Sequence, residues 1–173
     1  DEMERLITDL LESEALNTRH AILRREPVNL AELVESVVSI DFGSRDEKID
    51  LEIAPMLQRV ELDVTRIRLL LRNLIDNALR YNPDDGAPIS VSLHSEAGGV
   101  EIAVQDHGPG IPPEHLAHVT EPFYRADPAR SRTTGGVGLG LYLCRLIVEA
   151  HGGSLSIQSN PEAGTRVSAR LPR

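Results

Sequence analysis

Tryptophan is absent from this 173-residue chain, and aromatics make up only 3% of it, as two Phe and three Tyr. With 40% apolar residues, the core must therefore be aliphatic. Cys144 is the single cysteine, so no internal disulfide can form, and a reducing compartment fits that usage. Positive charge is also scarce. Eighteen Lys and Arg stand against 27 Asp and Glu, for a formal net charge of -9. Nucleic acids and anionic membrane surfaces reward clustered cations, so neither is expected as the main partner. A small anionic ligand, which needs only a few local donors, stays compatible with this balance. No stretch reaches the unbroken apolar length of a membrane span, and no signal-peptide pattern opens the chain. The six His share no metal-ligand spacing, and no Ser/His/Asp or Cys/His set converges. The chain starts without Met and already in helical register. It reads as a piece of a longer protein, which leaves room for a membrane anchor upstream.

What is present alternates between helical and extended patterns, at a length that suits one domain with a short appendage. Leu6, Leu10, Leu16 and Leu23, with Ile7 and Leu11 beside them, predict a helix over 3–24 that Pro27 ends. Asn29, with Glu32 three residues on, predicts a capped helix over about 30–41. "KIDLEIA" and "RVEL" read as strands. Asp63 caps a long helix that Asn82-Pro83 stops. "PISVSLHSE" and "GVEIAVQD" form one hairpin, and "SLSIQS" and "TRVSARL" a second around "NPEAG". Between the hairpins lie a long irregular region, about 107–135, and a helix that starts Gly-rich and ends at Gly152-Gly153. This order predicts an α/β two-layer sandwich, with one helical layer on one mixed sheet.

Four segments carry candidate chemistry. In "LRNLIDNALRYNP", Asn73 and Asn77 share a helix face that Arg80 and Tyr81 continue. Asn is a poor residue inside a helix, so two on one face need a reason. Either the amides pack a neighbouring loop, or their oxygens face a hard cation with Arg80 available to a phosphate. In "GGVGLGLYLCR", Gly136, Gly138 and Gly140 alternate where loop becomes helix. Such a start offers free N–H groups to a phosphate, or else serves as a hinge into a buried helix. No Gly-Lys-Ser/Thr follows, and no strand runs directly into it, which excludes a Walker A loop and the dinucleotide fingerprint. "EPFYRADPARSRTTGG" is either a solvated loop with an anchoring aromatic or a lid whose arginines reach phosphates. In "QDHGPGIP" an apolar strand runs into Asp106 and at once into a Gly/Pro turn; alone, that is an ordinary surface loop.

Taken together, the four segments resemble the catalytic and ATP-binding domain of bacterial two-component sensor histidine kinases. More widely they resemble the GHKL ATPases of the Bergerat fold. "NLIDNALRY" matches the N box, "DHGPGIP" the first glycine box, "EPFYRAD" the F box and "GGVGLGL" the second glycine box. Four such motifs in this order are specific, and the resemblance covers about 28–173. Residues 1–26 resemble the second helix of the dimerisation and histidine-phosphotransfer hairpin, which leaves 27–173 as the ATP-binding domain.

The resemblance implies a role for each matching residue. Asp106 accepts from the adenine amino group, with Gly108 and Gly110 turning the chain beneath the base. Ile111 and Leu139 line the base pocket, and Tyr81 flanks it. Asn77 is the expected Mg²⁺ ligand. Asn73 lies near the metal and γ-phosphate, where ATP-hydrolysing relatives carry a Glu base. Arg80 and Arg125 face phosphates, and Gly136, Gly138 and Gly140 supply the phosphate-facing turn. The implied cofactors are ATP and Mg²⁺. The implied partners are the histidine-bearing hairpin of the full-length homodimeric kinase and the receiver domain of a response regulator, in the cytoplasm, with no nucleic acid. The phosphoacceptor motif is missing: His20 is followed by Ala-Ile-Leu and lies on the wrong helix. Thr120 stands where the family often has an aromatic. The alternatives are a GHKL-type serine kinase or ATPase, against which the helix at 1–26 argues, and a non-catalytic docking module of the same fold. Asn77, Asp106 and the glycines argue against the latter.

Overall fold

The computed structural model describes residues 2–17, 22–54, 59–126 and 137–173. Five helices and seven strands fall within them: α1 (Glu2–Asn17), β1 (Glu26–Val28), α2 (Leu30–Asp41), β2 (Ile49–Ile53), β3 (Val60–Leu62), α3 (Val64–Tyr81), β4 (Ile89–Glu96), β5 (Gly99–Gln105), α4 (Pro113–Leu116), α5 (Gly140–Ala150), β6 (Ser154–Asn160) and β7 (Gly164–Pro172). A 3-10 turn over Gly43–Lys48 joins α2 to β2.

The two hairpins become the centre of a five-stranded mixed sheet of order β2-β4-β5-β7-β6. β2 joins β4 in parallel, and the other pairs are antiparallel. The register sets Val91 opposite Val104, and Val104 opposite Val167, on one face. These alternate residues are buried with the apolar sides of α2, α3 and α5 in one aliphatic core. The other face is polar: Glu101 on β5 pairs with Arg166 (3.3 Å) and Arg170 (3.1 Å) on β7. The architecture is the expected α+β two-layer sandwich with a mixed sheet.

Both expected N-caps form. Asn29 accepts from the Glu32 N–H, and Asp63 Oδ1 accepts from the Arg66 N–H at 3.2 Å. His151, only 1% exposed, locks the start of α3 to the end of α5. Its Nδ1–H donates to the Ile147 carbonyl (2.7 Å), and its Nε2 accepts from the Asp63 N–H (3.1 Å). The second bond needs the neutral ring, because a protonated Nε2 cannot accept. Burial, then the charges of Arg25 and Arg66, lower its pKa against the Ile147 hydrogen bond and the Asp63 charge. Below the ordinary histidine range the unfolded chain binds the proton and the folded chain resists it, so stability falls as pH drops from about 7 toward 5. Urea unfolding across that window measures the slope, and His151→Gln should flatten it.

Three details depart from the sequence expectations. α1 ends at Asn17, short of 24, and the Arg24 N–H donates to Asp63 Oδ2 (3.0 Å), not to a helical carbonyl. Pro27 lies in β1, which pairs with β3 as a separate two-stranded ribbon; Pro tolerates such an edge position. The irregular region contains α4, a single helical turn.

Candidate functional site

A cavity of about 630 Å³ opens between α3, the turn after β5 and the start of α5. It is lined by Asn73, Asn77, Arg80, Tyr81, Asp106, Gly110, Ile111, Arg125, Gly138, Leu139 and Gly140, which brings eleven of the twelve described candidates to one place. The twelfth, Gly108, sits directly beneath, its N–H donating to Asp106 Oδ1 (2.9 Å). Gly136 lies outside the described residues.

Asp106 forms the polar floor. It is 5% exposed, at the end of β5. Its Oδ1 accepts from the N–H groups of Gly108 and Thr165 (3.1 Å), while no hydrogen bond to Oδ2 is found among the described residues. One oxygen is thus held by the protein and the other is left for a ligand. Burial raises the Asp106 pKa above the usual carboxylate value, against the two backbone donors and the nearby His107. The apolar wall is aliphatic, from Ile111, Leu139 and Val119. Ile111 is anchored through its N–H to Ser159 Oγ (2.7 Å).

The opposite end is polar. Asn73 Nδ2 donates back to the Leu69 carbonyl (3.0 Å), which turns Oδ1 toward the start of α5. A Cβ at Gly140 would come within 3.1 Å of that oxygen. The Asn77 amide has no hydrogen bond to a described residue, so the oxygen suits a hard cation or a phosphate-bound water. Arg80 pairs with Asp76 one turn back (3.1 Å), an acid that Arg45 also approaches at 3.9 Å. The first turn of α5 leaves its N–H groups facing this end, which favours anions. The Phe123 N–H donates to the Gly138 carbonyl (3.0 Å). Phe123 (φ 65) and Gly138 (φ 79) are both left-handed there. For Gly138 the reason is space as well as dihedral, since a Cβ would press on the Tyr124 carbonyl and Phe123 Cα.

Several site residues carried no sequence signal. Thr165 and Gly164 sit at what reads as a plain hairpin turn, yet the Thr165 N–H donates to Asp106 Oδ1 and Gly164 lies against the Asp106 carbonyl. Asn82 looks like a helix stop, but its Oδ1 accepts from the His107 N–H (2.9 Å) and ties α3 to the turn below the cavity. Leu6 and Asp9 of α1 also line the cavity, although α1 lies far away in sequence.

A buried acid at a strand end, an aliphatic slot and an amide-lined helix face opposite a helix N-terminus define a nucleotide-binding domain of the α+β sandwich class. Comparison agrees: the model of the histidine kinase-, DNA gyrase B-, and HSP90-like ATPases matches residues 62–173, and the chain belongs to this family. It is 34% identical over 98% of its length to the adaptive-response sensory kinase SasA of Synechocystis, covering 45% of that protein. In structure it is similar to full-length ShkA in complex with AMPPNP, with a TM-score of 0.78, 25% identity, and coverage of 98% of this chain and 36% of the other. It is also similar to the catalytic domain of the histidine kinase ThkA, with a TM-score of 0.74, 31% identity, and coverage of 87% and 96%. The chain spans less than half the length of the curated relatives it matches. No described helix is long and apolar enough to cross a membrane.

Proposed function

We propose that this chain is the ATP-binding kinase domain of a sensor histidine kinase, which passes the γ-phosphoryl group of MgATP to a histidine on a helical hairpin for relay to a response regulator. The carrying observation is Asp106, buried with one oxygen held by two backbone donors and the other open to the cavity. That oxygen accepts from the adenine amino group. Guanine presents an acceptor at the same point and leaves the acid unpaired, which gives specificity. Ile111, Leu139 and Tyr81 enclose the base, and Gly108 and Gly110 shape the turn beneath it. Gly136, Gly138, Gly140 and the N-terminus of α5 receive phosphates, with Arg80 and Arg125 as cationic contacts.

Asn77, assisted by Asn73, would hold Mg²⁺; neutral amide oxygens suit a hard cation that keeps phosphate and water ligands. When bound, that ion neutralises charge on the phosphates. The chain's own groups position the triphosphate and exclude water from the base. Asn73 offers no strong base to water, so transfer to a protein is favoured over hydrolysis. A single ATPase assay checks this: slow turnover is expected, and fast turnover contradicts it.

Residues 1–26 belong to the hairpin and 27–173 to the catalytic domain. The apolar residues Met3, Ile7, Leu10 and Leu11 are exposed along one side of α1, which suits burial in a homodimeric bundle. A cytoplasmic setting follows from the use of ATP; any membrane anchor lies elsewhere in the full-length protein. Incubation with γ-labelled ATP should leave this chain unlabelled and label a longer chain that carries the acceptor histidine. Label on this chain, or none on the longer one, contradicts the reading.

A further inference from the structure

Among the described residues, Phe123 is the one non-glycine with a left-handed backbone. Such a conformation is strained and persists only where its surroundings hold it. The Phe123 side chain is exposed, so the hold comes from its backbone and from the next residue. Its N–H is bonded to the Gly138 carbonyl. The next residue, Tyr124, reaches α4, where its hydroxyl and His115 Nδ1 share a hydrogen bond of 2.5 Å. The rings of His115 and His118 lie 5.9 and 5.4 Å from the Tyr124 ring. Glu121 Oε1 in turn holds His118 Nδ1 at 2.8 Å.

α4 is itself a fixed support. It packs against β6, and Ile111 just before it is bonded to Ser159 on that strand. The Tyr124 hydroxyl thus ties a strained segment to an anchored one. Tyr124 lines the main cavity, whereas His115 does not. The Tyr124 carbonyl lies where a Cβ at Gly138 would press, 2.8 Å away. His115 therefore acts on the Gly138 turn through one intervening residue.

We propose that His115 is a positioning residue for the nucleotide phosphates. Its bond to Tyr124 keeps the Phe123–Tyr124 backbone against Gly138 and so fixes the turn at the phosphate end of the cavity. This rests on the reading of the cavity as an adenine-nucleotide site. The base end is held by other bonds: Gly108 and Thr165 on Asp106, and Ser159 on Ile111. Loss of the His115 bond should weaken binding through the phosphates and spare the base.

The test is calorimetry of the Mg complex of AMPPNP and of adenosine, with a thermal melt of each protein. The proteins are wild type, His115→Phe, Tyr124→Phe and the double variant. Phe keeps a ring at either position and removes the hydrogen bond. Each single variant should bind AMPPNP about fivefold more weakly and adenosine within about twofold of wild type. The double variant should bind AMPPNP no more weakly than either single one, because both remove the same bond. His115→Asn, whose amide can meet the Tyr124 hydroxyl, should recover most of the AMPPNP affinity. Should His115→Phe fail to fold, Tyr124→Phe carries the same comparison. Equal losses for adenosine and AMPPNP would make His115 a general support of the domain and overturn the inference. Unchanged AMPPNP affinity in the single variants, or losses that multiply in the double one, also overturns it. Failure of wild type to bind either ligand overturns the site reading itself.

Discussion

Asp106→Asn should abolish measurable adenine-nucleotide binding, a loss of about 100-fold or more, and leave the fold intact. The two effects separate because the carboxylate has two jobs. Oδ1 accepts from Gly108 and Thr165, and an amide oxygen can do the same. Oδ2 faces the cavity as an acceptor, and the amide nitrogen that replaces it is a donor. A donor set against the adenine amino group is worse than no contact. Burial of the ionised acid is unfavourable for folding at neutral pH, as its raised pKa indicates, so the neutral variant should unfold no earlier than wild type. The same shift gives a pH dependence. Only the ionised carboxylate accepts, so wild-type affinity should fall with decreasing pH from above the usual carboxylate range. Calorimetric titration with MgATP, paired with a thermal melt, tests both points. Retained binding in Asp106→Asn would remove the acid from base recognition.

Gly164→Ala should be the most damaging single methyl in the molecule for the site. Gly164 holds φ 79, and an added Cβ would collide with the Asp106 carbonyl oxygen. Left-handed strain and overpacking against backbone together cost about 3 kcal/mol. For a chain of this size that lowers the melting temperature by on the order of 10 °C. Because the clash pushes on the strand end that carries Asp106, and next to the Thr165 N–H that holds its carboxylate, nucleotide affinity should fall as well. An alanine at Gly43, where a Cβ meets nothing within 4 Å, serves as control and should change neither. A Gly164→Ala variant that melts and binds like wild type would contradict the packing argument.

The contrast between these two positions shows what the sequence discloses. Asp106 is legible because an apolar strand running into an acid and a Gly/Pro turn is a local pattern. The Asn73/Asn77 face and the Gly138/Gly140 start of α5 are local too, and all converge on one cavity. The alternating hairpins likewise give the sheet and its buried face. Gly164 is not legible, since "NPEAG" is an ordinary turn until β7 brings it under β5. Nor is the place of Asp9 in the cavity wall, which depends on how α1 docks. The outward turn of Ile7, Leu10 and Leu11 inverts the usual rule that the apolar stripe marks the core side, so periodicity alone assigns the wrong face. The departure of residues 22–25 from the expected helix has a similar origin, because Asp63, 39 residues on in the chain, takes the Arg24 N–H.

The central claim is that the cavity above Asp106 is a magnesium-dependent adenine-nucleotide site. Its most direct test is calorimetry of the wild-type chain with ATP and with GTP, each in the presence of Mg²⁺ and again with the metal chelated. The account predicts saturable binding of ATP that weakens on chelation, and no detectable binding of GTP. Equal affinity for the two nucleotides, or no binding of ATP, would contradict it.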